Sequence, residues 1–388
     1  MKNDIIVISP IYKIIGRSEL NRDTECVHDL IKYWTKDNNL YVFFPYVRGL
    51  KRLPYFFKKD QLNYYLNGYD YECDNIKVRI LERQNLFPNQ MNGFKSEKKR
   101  FRNLIKQKIS DSNINPNLVV VHIPSSSCFF FKKDMFMCKT IAVLHYSDVK
   151  YYNKYGKKFI EYLNENFDAV FCRSKSLYEI FNKLGIKNLR GNVIYSGVPN
   201  DKSVLQKDKF NGKKNKFLYV GKLIKRKNLD LLIKALSNFD VDTWELNVIG
   251  AGPFEKEYKN LVKKLSLEKN VNFLGTFNKK KVFEYMSESD IFCMPSVKET
   301  LGLVYLEAMM NGCITIGTIN EGIDGIIVDG KNGFLVSPSV ESIISIISRI
   351  YAMDDKSKKA IIENAINTGL YYNEDDMSKK YKKIIDGV

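Results

Sequence analysis

Histidine is scarce in this chain of 388 residues, with three in all, and tryptophan is scarcer, with two. The seven cysteines are odd in number and scattered, with no Cys-x-x-Cys pair. They read as reduced, mostly buried thiols of a cytoplasmic protein and exclude a disulfide framework. No His/Cys/Asp group has the spacing of a metal site. Asp240-Val241-Asp242 is an Asp-x-Asp string, but it sits in a loop before a strand, where a solvated turn accounts for it. No apolar run approaches the ~20 residues of a spanning helix, and Met1–Ser9 opens on a strand without the shape of a leader peptide. Acidic residues are in deficit, 44 against 62 basic ones, for a net charge of +18. The excess is uneven: +14 over residues 1–200 and +4 over residues 201–388. An anionic membrane surface, a lipid-phosphate acceptor or nucleic acid would each suit that field, and a general lysine bias would produce the same number.

What is present is enough apolar material for real cores, 44% hydrophobic and 13% aromatic, in a length that suits two domains. Ile5–Ser9 reads as a strand and is followed by a loop with Gly16. A helical pattern then runs through Cys26, Leu30 and Trp34, and Leu40–Phe44 is the next strand. A β-loop-α-β opening argues for a doubly wound parallel sheet. In residues 48–108 basic side chains interleave with Tyr55, Phe56 and Phe57 and continue through Lys95–Lys108. This fits a surface that lies on anionic headgroups or an ordinary amphipathic helix with a solvated lysine face; single-stranded nucleic acid would suit it too, but no nucleic-acid module signature is present. Leu118–His122 and Thr140–Leu144 are buried-type strands, each ending in a histidine. Open parallel sheets put ligand groups just past such strand ends, although a hydrogen-bonded structural histidine fits His122, and to a lesser degree His145, as well. Residues 200–216 read as a polar linker, and the strand-loop-helix pattern then restarts at Lys216–Val220.

The stretch from Pro295 to Met309 organises the second half. A short apolar run, Ile291–Met294, leads into a loop that carries Glu299 and Gly302, and a helix follows from Leu303 with Glu307 inside it. The N–H groups at such a helix start and its dipole suit a phosphate. Two carboxylates flanking it suit hydroxyls. A ligand with phosphate in the middle and a sugar at each end satisfies both, and a nucleotide-sugar has that shape.

With Gly221-Lys222-Leu223-Ile224-Lys225-Arg226-Lys227 and Gly250-Ala251-Gly252-Pro253, these residues resemble the retaining glycosyltransferases of family 4, most strongly over residues 217–336. The resemblance implies an α/β fold of two Rossmann-like domains facing across a cleft, the GT-B architecture. Residues 1–205 would form the acceptor domain and 206–370 the donor domain, and helix 371–388 would cross back. It implies that Lys222 and Lys227 grip the donor diphosphate, with Lys222 standing where the family has arginine. Glu299 would meet the transferred sugar and Glu307 the ribose. Gly221, Gly250, Gly252, Gly302, Leu303 and Val304 would line the donor site, with His145 beside the transferred sugar and Gly16 in the first loop. His145, Lys222, Lys227 and Glu299 are thus the catalytic candidates.

The implied activity is a hexosyltransferase of the EC 2.4 class. It would move a hexose or N-acetylhexosamine, with retention and without a metal, from a nucleotide-diphosphate sugar, UDP-linked ahead of GDP-linked. The acceptor would be a hydroxyl of a glycan or lipid-linked acceptor, in bacterial O-antigen or capsule assembly at the inner face of the membrane. A nucleotide-sugar epimerase of the same architecture is the nearest rival. A basic nucleic-acid-binding protein is the other, but it gives no reason for Glu299 and Glu307.

Overall fold

The computed structural model describes residues 2–12, 25–49, 70–85, 95–125, 130–199 and 209–388. Gly16 and most of the basic-aromatic segment at 48–59 lie outside the described residues. The chain forms two compact units. The first comprises Met1–Arg173, Leu177–Ile194 and Met377–Val388, and the second Ser174–Ser176 and Tyr195–Asp376.

The first unit holds β1 (Asn3–Ile8), β2 (Asn38–Gly49), β3 (Tyr71–Cys73), β4 (Ile76–Asn85), β5 (Pro116–His122), β6 (Lys139–Leu144), β7 (Ala169–Cys172) and β8 (Leu189–Val193). Their order in the sheet is β3-β4-β2-β1-β5-β6-β7-β8. Every pairing is parallel except the β3–β4 hairpin, which turns on Asp74 and Asn75. Both turn residues have positive φ, 52° and 60°, as a two-residue hairpin of the primed type requires.

The central strands are apolar throughout because both faces are covered. Side chains alternate across a strand. Ile6, Ile8, Val119, Val121, Ala142 and Leu144 therefore enter one core, while Ile5, Val7, Leu118, Val120, Ile141 and Val143 enter the other. The basic helix Lys95–Asp111 commits its apolar face to the first of these cores through Phe101 and Ile105. Lys99, Arg100 and Lys106 are left in solvent, the arrangement of an ordinary amphipathic helix.

The helical pattern read through Trp34 splits in the structure into an α-helix, Cys26–Ile31, and a tighter 3-10 turn, Lys32–Lys36. Trp34 is thereby turned toward the last helix, Glu374–Asp386. Its indole nitrogen donates to the Ser378 carbonyl at 3.1 Å, and its ring meets Tyr381 edge-on at 4.9 Å. The Ser378 hydroxyl donates to the Leu30 carbonyl at 2.6 Å. Tyr381 and Ile385 are part of the first unit's core, so the chain does return to its N-terminal sheet.

The second unit holds β9 (Asn215–Val220), β10 (Trp244–Ile249), β11 (Val271–Gly275), β12 (Ile291–Cys293), β13 (Ile314–Thr318) and β14 (Phe334–Val336). They lie in the order β11-β10-β9-β12-β13-β14, all parallel. Chain order reverses between β9 and β12. In an open parallel sheet the carboxyl ends of the strands at that switch leave a crevice for a ligand. Among the described residues no helix is long and apolar enough to cross a membrane.

Candidate functional site

A pocket of about 460 Å³ lies at that switch, wholly within the second unit. Its walls come from the end of β9 (Val220, Gly221), from Lys227, from the segment after β11 (Phe277, Lys279, Val282) and from the segment after β12 (Glu299, Gly302, Leu303, Val304, Glu307). The volume falls within the roughly 300–1,000 Å³ of small-molecule sites.

Local chain geometry explains how these side chains meet. Gly221 donates its N–H to the Ile249 carbonyl at 2.9 Å, and Leu223 donates to Ala251 at 3.0 Å. A Cβ on Gly250 would stand 2.0 Å from the Gly221 oxygen, and one on Gly252 would stand 2.3 Å from the Leu223 oxygen. Segment 250–252 is glycine-rich because it braces the back of the Gly221 loop. Lys225–Lys227 forms a 3-10 turn tied to the loop after β12: Val297 donates to the Arg226 carbonyl at 2.9 Å, and the Asn228 amide donates to the Pro295 carbonyl at 2.8 Å. Gly302 has φ 81° and precedes the helix Leu303–Met310. A Cβ there would meet the Tyr305 ring at 2.6 Å. The first N–H groups of the helix therefore open on the pocket wall without a side-chain cap.

The two carboxylates differ in surroundings. Glu299 Oε2 accepts from Lys227 Nζ at 2.7 Å and from an Arg226 guanidinium nitrogen at 2.9 Å. Burial pushes the Glu299 pKa up, but Lys227 and Arg226 outweigh burial and hold it below the usual carboxylate value. Among the described residues Glu307 has one cation at salt-bridge distance, Lys279, at 3.3 Å. There burial prevails, and the pKa stands above the usual value despite Lys279. Glu321 steadies the loop from outside, its carboxylate accepting from the Glu299 N–H at 2.9 Å. Gly322 packs so closely on Leu301 that a Cβ would lie 2.5 Å from its backbone.

The structure thus brings together Gly221, Lys227, Glu299, Gly302, Leu303, Val304 and Glu307. Other candidates lie elsewhere. Lys222 is exposed and does not line the pocket, because Leu223 takes the inward position in the loop. Gly250 and Gly252 stand behind the loop and not at its surface. His145 belongs to the first unit. It directly follows β6 and caps the helix Tyr146–Tyr155, and its Nε2 lies 3.1 Å from Nδ1 of the buried His122. Phe277, Lys279 and Val282 were missed. They follow β11, and Asn278 caps their helix by accepting from the Lys281 N–H at 2.9 Å. That capping pattern just past a strand end was the available signal.

The fold also assembles one trio that the spacing concealed. Ligand atoms of His28, Cys73 and Asp74 lie within 4.8 Å of one another. His28 Nε2 and the Asp74 carboxylate are hydrogen-bonded at 2.6 Å, and the Tyr12 hydroxyl lies 2.9 Å from the other ring nitrogen. Both nitrogens of His28 are thereby satisfied without an ion.

Comparison with known proteins gives the same outline. Residues 201–368 match the family described as Glycosyl transferases group 1. An uncharacterized glycosyltransferase of Methanocaldococcus jannaschii is 32% identical over 180 residues, 46% of this chain and 48% of that protein. The N-acetylgalactosamine-N,N'-diacetylbacillosaminyl-diphospho-undecaprenol 4-alpha-N-acetylgalactosaminyltransferase of Campylobacter jejuni is 28% identical over 233 residues, 58% of this chain and 61% of that one. The chain therefore spans about half to three fifths of the length of these relatives. Among solved structures, sucrose-phosphate synthase from Thermosynechococcus elongatus superposes with a TM-score of 0.73 at 16% identity, covering 100% of this chain and 99% of that one. Anabaena HepE in complex with UDP and glucose gives 0.69 at 16% identity, covering 99% and 100%. At these identities the structures establish the fold, which is GT-B.

Proposed function

We propose, on the match of residues 201–368 to the glycosyl transferases group 1 family, that the chain transfers a sugar from a nucleotide-diphosphate sugar to an acceptor hydroxyl. The observation that carries this reading is one pocket containing an anchored cation, an uncapped helix start and two carboxylates in contrasting environments. We assign the diphosphate to Lys227 and to the N–H groups of Leu303 and Val304. A cation at about 4 Å contributes roughly 4 kcal/mol at an effective dielectric of about 20, whereas a helix terminus contributes about 0.3–1 kcal/mol. Lys227 therefore dominates. Glu299 fixes its position, and because an ammonium has three donors, it can keep that contact while binding phosphate. Arg226 is the second cation on the same carboxylate and helps fix Glu299, although like Lys222 it does not itself line the pocket.

The contacts of Glu299 with both cations fall on Oε2, and we assign Oε1 to hydroxyls of the transferred sugar. Glu307 is assigned to the ribose, where a charge-assisted hydrogen bond is worth about 1.5–3 kcal/mol. As the sugar–phosphate bond breaks, negative charge grows on the diphosphate beside Lys227, and stabilisation at that point speeds the reaction itself. Retention follows the family likeness, with the departing phosphate accepting the acceptor's proton. The lysine and the helix end neutralise the diphosphate without a metal in this reading.

A UDP-sugar is the favoured donor, in keeping with UDP in the solved Anabaena protein. A lipid-linked or glycan acceptor of surface-polysaccharide assembly is favoured by the diphospho-undecaprenol named for the Campylobacter relative. Work at the inner membrane face would suit the basic half of the chain. A thermal-shift panel of UDP-glucose, UDP-N-acetylglucosamine and GDP-mannose tests the donor. A ligand at a hundred times its Kd stabilises by about 2.7 kcal/mol, so a true donor should raise Tm measurably. No shift with any nucleotide-sugar, or conversion of the donor alone to an isomer, would overturn the reading.

A further inference from the structure

Three buried side chains in the first unit form one hydrogen-bonded line. The Tyr381 hydroxyl lies 3.1 Å from His122 Nε2, and His122 Nδ1 lies 3.1 Å from His145 Nε2. Tyr381 is 1% exposed, His122 0% and His145 5%, so water does not substitute for these contacts. Tyr381 is carried by the last helix, which Trp34 and Leu30 hold in place through Ser378. His122 ends β5, and His145 follows β6.

A neutral imidazole has one N–H and one bare nitrogen. Burial, followed by the charge of the nearby Arg173, lowers the pKa of both histidines well below the ordinary value, so both rings are neutral at physiological pH. The line then has only two consistent proton arrangements. If the tyrosine O–H donates to Nε2 of His122, that ring must donate from Nδ1, and His145 accepts at Nε2 and carries its proton on Nδ1. If the tyrosine oxygen accepts, every role reverses, and His145 carries its proton on Nε2. The hydroxyl direction and the His145 tautomer are thus one variable, and the helix cap bears on it too: the His145 side chain faces the Asp148 N–H in the capping box, which suits the arrangement with the proton on Nε2.

We propose that Tyr381 and His122 are positioning residues that, together with the helix cap, hold the tautomer of His145, so that the last helix takes part in deciding which face of this imidazole can donate and which can accept. That this matters for sugar transfer rests on the reading of His145 as the group beside the transferred sugar. The coupling itself does not depend on it.

The test is two-bond 15N–1H correlation NMR on the full-length 15N-histidine-labelled chain. Only three histidines are present, so single variants assign every ring. In the parent chain His145 should give the two well-separated 15N shifts of one tautomer. In Tyr381→Phe, which keeps the ring and removes the hydroxyl, those shifts should move toward each other as both tautomers become populated. His28, held by its own partners, should not change. Steady-state turnover of the donor found by thermal shift should fall about tenfold in kcat with KM unchanged. If Tyr381→Phe proves unfolded by circular dichroism, His122→Gln, whose amide still bridges but no longer links the two directions rigidly, is read in the same way. An unchanged His145 pattern in a folded variant overturns the proposal. A shifted pattern with unchanged turnover upholds the coupling and removes His145 from the reaction.

Discussion

In the second unit the buried Lys227 lies 2.7 Å from a carboxylate that it shares with Arg226. In the first unit the buried Arg173 exerts its charge on His122, His145 and Tyr381, all of which stay neutral. One region thus stores full charges in contact, and the other stores hydrogen bonds between neutral groups. Charges in contact suit a ligand that brings or develops charge, as a departing diphosphate does. Neutral rings suit a group that must present one particular N–H to an uncharged sugar. The two units share a sheet plan, yet the groups near their strand ends are opposite in kind, charged in one and neutral in the other.

The contrast breaks most sharply at Lys227. Lys227→Ala should lower kcat by at least about tenfold, toward the 10²–10³ of a lost charge-stabilising group. It should also lower stability, by less than the roughly 3–5 kcal/mol of a fully broken buried pair because Arg226 stays on Glu299, measured by urea unfolding. Glu307→Gln should raise the donor KM at least about tenfold with kcat little changed, because a ribose contact binds ground and transition states alike.

The neutral side of the comparison is read by pH. Burial pushes the Asp148 pKa up to about 7, although the N–H groups of His145 and Ser125 donate to its carboxylate. A raised carboxylate pKa contributes stability that is fully present below the unfolded value near 4 and lost as pH rises through the folded value. The lowered pKa values of His122 and His145 add a rise of opposite sign below about pH 6.5, so the Asp148 contribution is read as a difference: in urea unfolding between pH 5 and 8 the stability of the parent chain relative to Asp148→Asn should fall as pH rises. Glu299 has the opposite sign. Its pKa is depressed, so its contribution is present above the unfolded carboxylate value and lost as pH falls through the folded one. The smallest effect belongs to Lys279, whose side chain is 51% exposed. An exposed pair is worth about 0–1 kcal/mol, so Lys279→Ala should change donor Kd by no more than about fivefold in isothermal titration.

The second unit was the more legible because its signals are local. Gly302, a helix start and two glutamates eight positions apart lie in one short stretch, and the strand-loop-helix pattern leads up to it. What stayed hidden is tertiary. Nothing near Glu299 in sequence announces that Lys227 and Arg226, 72 and 73 positions away, will neutralise it. Lys222 and Lys227 look equivalent as letters, and only the inward turn of Leu223 separates them. The glycines at 250 and 252 were read as lining the donor site by likeness alone, and their close packing on the Gly221–Leu223 backbone shows only in the folded chain. In the first unit the strands were readable from continuous apolar runs. The β3–β4 hairpin was missed although Asp74-Asn75 is a suitable turn pair, and β2 runs on to Gly49 because it pairs with β4 over ten positions. The line from Tyr381 to His145 joins residues 236 positions apart, beyond any pattern in neighbouring letters.

The most direct measurement is a crystal structure of the chain with UDP, and separately with GDP, bound. The account predicts the β-phosphate between Lys227 Nζ and the N–H groups of Leu303 and Val304, with a ribose hydroxyl on Glu307. A nucleotide bound with its phosphates away from Lys227, or a pocket empty with both nucleotides at saturating concentration, would contradict it.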